Sequence, residues 1–150
     1  MIASFNAMNT AIGVSHVVYQ TIHKKEADSQ NGGTMFRVII AGGRDFDDYG
    51  FLREKCDHLF KNKKPTLILC GEARGADTLG RWYAAEREIP CASYPADWDK
   101  YGKSAGFMRN VEMAKNADAL VAFWDGQSRG TGHMIEIAGE YGLQVRVIRY

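Results

Sequence analysis

Cysteine and proline are scarce in this chain of 150 residues, three of each, and neither charge sign dominates it. Cys56, Cys70 and Cys91 are odd in number and far apart, with no CxxC pair and no His/Cys cluster. That spacing speaks against a zinc site, and a chain of this length can build its core without disulfides. All three are expected to be free thiols, at least partly buried, in a reducing compartment. His16, His23 and His58 have no metal-ligand spacing, so neither a metal nor a cofactor is expected. The formal net charge is only +1, which removes the global electrostatic case for nucleic acid or an anionic membrane as partner. No apolar run approaches the ~18 residues a membrane span requires. The first residues lack the basic and apolar regions of a signal peptide. A cytoplasmic protein is the expectation.

What is present fits one ordinary α/β domain and an extension. In residues 1–35, Ala11, Val14, Val18 and Ile22 recur at helical spacing, and Ser29 to Thr34 reads as a linker. The segment is read either as an appended helix, packed on the domain or on another subunit, or as a poorly ordered extension. From residue 36 to 150 short apolar runs alternate with helical periodicity. Val38–Ala41, Thr66–Cys70, Cys91–Tyr94, Ala119–Trp124 and Val145–Ile148 read as strands. Helical spacing lies between them, through Leu52 and Cys56, Leu79 and Tyr83, Phe107 and Val111, and Met134 and Ile137. This alternation predicts a doubly wound, Rossmann-like parallel sheet of five strands, order 3-2-1-4-5, with helices on both faces.

In such a sheet ligands bind beyond the carboxyl ends of the strands, where strand order reverses. Glycine and arginine gather at those ends. The first strand runs into Gly42, Gly43 and Arg44, the second into Gly71, Glu72, Arg74, Gly75 and Asp77, and the fourth into Gly126, Ser128, Arg129, Gly130 and Thr131. Glycine lets a backbone approach a ligand closely, free N–H groups at a helix start attract phosphate, and guanidinium groups bind phosphate oxygens in pairs. Trp98 lies in the loop after the third strand, placed to stack on a base or to pack in the core. Arg109 and Asn110 open the third helix toward the same crevice. Thr131 is either a phosphate ligand or a simple helix cap. Asp77 either orients a ribose or Arg74, or answers the helix dipole. Oligomeric state is not readable from the sequence, though exposed Trp82 and Tyr83 on the second helix are compatible with a homodimer or higher homo-oligomer.

In order along the chain, Gly42-Gly43-Arg44-Asp45, Gly75-Ala76-Asp77, Pro95-Ala96-Asp97-Trp98, Arg109-Asn110 with Met113, and the Asp125–Thr131 loop resemble the YspA/YpsA-related branch of the SLOG superfamily. The resemblance implies a Rossmann-like fold that binds nucleotides or nucleotide-derived molecules, including ADP-ribose-type signals, often in phage or prophage settings. More distantly the chain is similar to the cytokinin-activating phosphoribohydrolases. That likeness matches Arg109 and Met113 to their Arg-Lys-x-x-Met helix, and Gly130 and Thr131 to their phosphate-binding loop. It also implies a glutamate at position 134, where this chain has methionine. Glu136 is two residues on, about 200° around a helix, and cannot simply replace it. The expectation is a sensor, carrier or sequestering module. The alternative is a nucleoside 5′-monophosphate phosphoribohydrolase using Asp77, Glu72 or Glu136 as its carboxylate.

Overall fold

The computed structural model describes residues 35–150, and the helix and linker expected before them lie outside the described residues. The order of elements is β1 (Arg37–Gly42), α1 (Tyr49–Leu59), β2 (Leu67–Gly71), α2 (Ala76–Glu86), β3 (Cys91–Tyr94), α3 (Trp98–Tyr101), a single 3₁₀ turn (Gly102–Ser104), α4 (Ala105–Lys115), β4 (Ala119–Trp124), α5 (Arg129–Glu140) and β5 (Gln144–Arg149). The strands form one parallel sheet in the order β3-β2-β1-β4-β5. This is the Rossmann-like arrangement the alternation predicts. The short α3 and its 3₁₀ turn are additional, and they occupy what reads as an aromatic loop.

Alternation along the strands divides the core between two faces. Val38 and Ile40 of β1, Ile68 and Cys70 of β2, and Val121 and Phe123 of β4 pack with Leu52 and Cys56 of α1 and Leu79, Tyr83 and Ala84 of α2. Ile39, Leu69, Leu120 and Ala122 point the other way and are fully buried there. On that side α4 and α5 pack against each other, with Met113 and Met134 buried. The central strands are apolar on both sides because helices cover both sides. β5 is an edge strand and is half-exposed along its length.

An ion pair ties the start of β1 to the start of β4. Arg37 donates from Nε and Nη2 to the two carboxylate oxygens of Asp118 at 2.7 and 2.8 Å, and its backbone N–H donates to Oδ2 at 2.8 Å. Charge-assisted bonds in bidentate geometry exceed an ordinary surface pair. Asp118→Ala is expected to cost about 2 kcal/mol, read as a lower urea midpoint at unchanged m-value.

Two expectations need correction. Tyr83 is 2% exposed and Trp82 56% exposed. Tyr83 lies on the face of α2 that packs into the core with Leu52 and Cys56 of α1, while Trp82, about 100° around the helix, points outward; the Tyr83 hydroxyl donates to Asp57 at 2.8 Å. Cys56 and Cys70 are buried free thiols, but the free thiol of Cys91 is exposed, because it opens the edge strand β3. Among the described residues no helix is long and apolar enough to cross a membrane.

Candidate functional site

β1 and β4 are neighbours from which the chain departs to opposite faces, so their carboxyl ends part and leave a crevice. A cleft of about 420 Å³ lies there. Four βα junctions line it: Gly42 to Asp45 after β1, Ala73 and Asp77 after β2, Trp98 to Asn110 after β3, and Asp125 to Thr131 after β4. A second lobe of about 480 Å³ adjoins it, lined by Glu72, Arg74 and Ala96 and sharing Arg44, Ala73, Trp98 and Arg109 with the first.

The β4–α5 junction presents the start of α5 to the cleft. Asp125 Oδ1 accepts the backbone N–H groups of Gln127 and Ser128, each at 2.8 Å, and these bonds hold its carboxyl below the usual range. Ser128, not Thr131, is the cap: its Oγ accepts from the Thr131 N–H at 3.4 Å and bonds the Thr131 hydroxyl at 3.1 Å. The first-turn N–H groups of Arg129 and Gly130 have no acceptor within the helix, and the helix dipole adds partial positive charge beside them. Ser128→Ala is expected to lower stability by about 1 kcal/mol, measured by thermal unfolding, because it removes that cap.

Asn110 joins this turn to the cleft's cation. It is 6% exposed, and its carboxamide is fully engaged. Its Nδ2 donates to the Gly130 carbonyl and contacts His133 Nδ1, both at 3.2 Å, while its Oδ1 accepts from Arg109 Nε at 3.1 Å. His133 Nδ1 therefore acts as the acceptor. The imidazole stacks on Phe107 with centroids 4.2 Å apart, and burial pushes its pKa down.

Arg109 lies across β2. A side-chain carbon at Gly71 would meet the Arg109 guanidinium and the Asp77 carboxylate, so the missing side chain makes room for both. Asp77 is 5% exposed and accepts from the Ala73 N–H at 3.3 Å. Burial pushes its carboxyl up to about 6, although Arg109 beside it pulls the other way. Burial also lowers the pKa of Arg109, and Arg44 lowers it further, against the pull of Asp77. Each member of the pair is thus incompletely compensated by the other. Arg81 supports the same strand end, donating from Nη1 to the Gly71 carbonyl at 2.9 Å.

Gly75 stands at φ +77° as the cap of α2, and a side-chain carbon there would collide with the Gly43 carbonyl. The close approach locks the β1 and β2 loops together. The Gly43 carbonyl also accepts from the N–H of Ala76 at 3.2 Å.

Gly42, Gly43, Arg44, Asp77, Trp98, Arg109, Asn110, Ser128, Gly130 and Thr131 thus line the main cleft, and Arg74 lines the second lobe. Gly71 underlies Arg109, and Gly75 sits behind the loops. Gly126 and the exposed Arg129 are not among the lining residues, and Glu136 is exposed on α5 away from it. Trp98 is 53% exposed, close to Gly106, and walls both lobes without entering the core. Sequence reasoning missed Lys103, Gly106 and Phe107 as lining residues. Their residue types carry no signal for it, since their direction depends on the turn that α3 introduces.

The chain is a Rossmann-like α/β domain with a cleft at the reversal of strand order, the place where ligands bind in sheets of this kind. The family model described as YspA, cpYpsA-related SLOG family matches residues 36–101. The Gene 61 protein of Mycobacterium phage D29 is 35% identical over 118 residues, covering 74% of this chain and 94% of that protein. The chain belongs to the YspA/cpYpsA-related SLOG family. No solved structure matches it.

Proposed function

We propose that the cleft binds a phosphorylated, nucleotide-derived small molecule, a nucleotide or an ADP-ribose-like compound, as a sensor, carrier or sequestering module. Family membership supports a nucleotide-related ligand. The observation that carries the reading is Arg109, half-buried, undercompensated and tied through Asn110 to the open N–H groups at the start of α5. Both line the same cleft, so a phosphate bound between them would accept from both. Charge lining the main cleft is balanced, Arg44, Lys103 and Arg109 against Asp45, Asp77 and Asp125. That balance disfavours a polyanion such as nucleic acid and suits a ligand with both anionic oxygens and hydroxyl donors. The adjoining lobe, with Trp98 as its wall, has room for the nucleoside.

Met134 supports binding over turnover. It is 1% exposed and lines the cleft, at the position to which the likeness to the phosphoribohydrolases assigns a glutamate. One observation favours a second reading as a phosphoribohydrolase: Asp77 lines the main cleft, and burial pushes its carboxyl up to about 6, the range of a group that can take up and give back a proton. Chromatography of AMP incubated with the protein separates the two, since only an enzyme yields free base and ribose 5-phosphate. Titration calorimetry with AMP, ADP-ribose and cyclic ADP-ribose tests binding itself. Silence with all three at millimolar concentration overturns the proposal. The phage relative fits a phage or prophage setting, and the free thiols among the described residues fit the cytoplasm. Exposed Trp82 on α2 favours a homo-oligomer, which light scattering would measure.

A further inference from the structure

We propose that the end of β5 is a clamp that positions both ligand loops from outside the cleft, with Arg149 and Tyr150 as positioning residues. This rests on the ligand reading above, but its geometry does not depend on which ligand binds. Neither residue lines the main cleft or its second lobe. Each closes on a different wall.

Tyr150 takes the β1–α1 loop. Its hydroxyl donates to Asp45 Oδ1 at 2.7 Å, and its ring lies 4.8 Å from that of Phe46. A side-chain carbon at Gly43 would strike the Tyr150 hydroxyl, so the loop closes tightly on it. Arg44, which lines both lobes, stands between these two anchor points. Its own side chain is exposed, so the direction it takes depends on the backbone that carries it.

Arg149 takes the β4–α5 loop. It pairs with Trp124 in the sheet register, and its guanidinium sits over that indole at 5.4 Å. Nη2 donates to the Asp125 carbonyl at 3.3 Å. The guanidinium also fills the space that a side chain at Gly126 would take, and Gly126 has φ +84°. Trp124 in turn donates from Nε1 to the Ser128 carbonyl at 3.0 Å. Arg149 therefore bears on the cap of α5 through two routes, the Asp125 turn and the Trp124 indole. The dipeptide that ends and follows the edge strand thereby fixes the spacing between Arg44 and the α5 amides, the two outer walls of the cleft.

Native-state amide exchange of Tyr150→Phe and Arg149→Ala tests this without any ligand. Tyr150→Phe keeps the ring on Phe46 and loses only the hydroxyl. It is expected to speed exchange at the Gly43 and Phe46 amides about three- to tenfold, leaving Gln127 and Ser128 unchanged. Arg149→Ala is expected to do the reverse. In parallel, ADP-ribose affinity is expected to fall about three- to tenfold in each variant, with the thermal midpoint lowered by about 3–6 °C, as the loss of a single contact implies. Unaltered exchange in both loops overturns the clamp, and so does exchange that speeds equally throughout the domain. If the loops loosen and affinity for a bound ligand does not change, the residues do not position the site. Should the unmodified protein bind no probe, the ligand reading fails, while the exchange data still decide whether the clamp exists.

Discussion

Arg109→Ala is expected to weaken ADP-ribose or AMP binding by about 10- to 100-fold, the largest loss of any single substitution in the cleft. A hydrogen bond between a guanidinium and a phosphate oxygen contributes roughly 1.5–3 kcal/mol, and 1.4 kcal/mol is tenfold in affinity. Arg109 is placed to supply that contact in full. Its Nε is engaged by Asn110, which fixes the direction of the fork, while Nη1 has only a long 3.4 Å contact to the Tyr94 carbonyl. The outer nitrogens are thus preorganised and weakly committed. The fold should survive the substitution, because Asp77, deprived of its cation, relieves its own burial by taking up a proton. Arg109→Lys separates charge from geometry. Lysine keeps the charge but cannot hold the Asn110 bond and a bidentate contact together, so an intermediate affinity is expected. Titration calorimetry of the three proteins with the same ligand measures all of this. Equal affinity in Arg109→Ala and the unaltered chain would remove phosphate from the centre of the cleft.

How far the sequence foretold this site depends on the kind of residue. The strands were legible because buried parallel strands are continuous apolar runs, as in Val38 to Ala41 and Ala119 to Phe123. Their order followed from the rules of crossover handedness, with no side-chain detail required. Glycines were legible as close approaches, and Gly71 and Gly75 are that. Side-chain direction was not. Arg129 and Arg109 look alike in sequence, yet Arg129 is the first residue of α5 and is exposed, while Arg109 is on the inner side of α4. Thr131 and Ser128 were not separable as cap and third residue until the helix start was fixed by the Asp125 turn. Nor was α3: Asp97 caps it by accepting from the Lys100 N–H at 3.0 Å, but four residues are too few to show a period. The legible part was what backbone chemistry and burial dictate. The remainder depends on a rotation of one or two residues, which pattern alone does not resolve.

Asp77 carries the second large effect, and its sign is unusual for a carboxylate beside an arginine. Burial raises its pKa to about 6 from the ordinary 3.8, so the folded chain keeps a proton that the unfolded chain has already released between those values. Unfolding free energy therefore falls as pH rises through that window and is flat above it. The displacement corresponds to on the order of 3 kcal/mol. Other carboxyls work in the opposite sense: Asp57, Glu86 and Asp125 are held below their ordinary values by Arg87, by Tyr49 and by loop amides respectively. Their stabilisation is present above the unfolded pKa and is lost on acidification, so the whole protein does not display the Asp77 slope by itself. Asp77→Asn isolates it. Asparagine keeps an acceptor for the Ala73 N–H and does not titrate, so any cost of the substitution is the same at every pH. Relative to the unaltered chain, the variant is expected to gain on the order of 3 kcal/mol between pH 4 and pH 7, measured by urea unfolding at several pH values. The ligand follows the same charge. An anion beside Arg109 raises the Asp77 pKa further, so ADP-ribose should bind more tightly as pH falls from 7 to 5, and Asp77→Asn should bind with little pH dependence. A stability difference that stays constant across the range would mean that Asp77 remains ionised and that the guanidinium beside it outweighs burial.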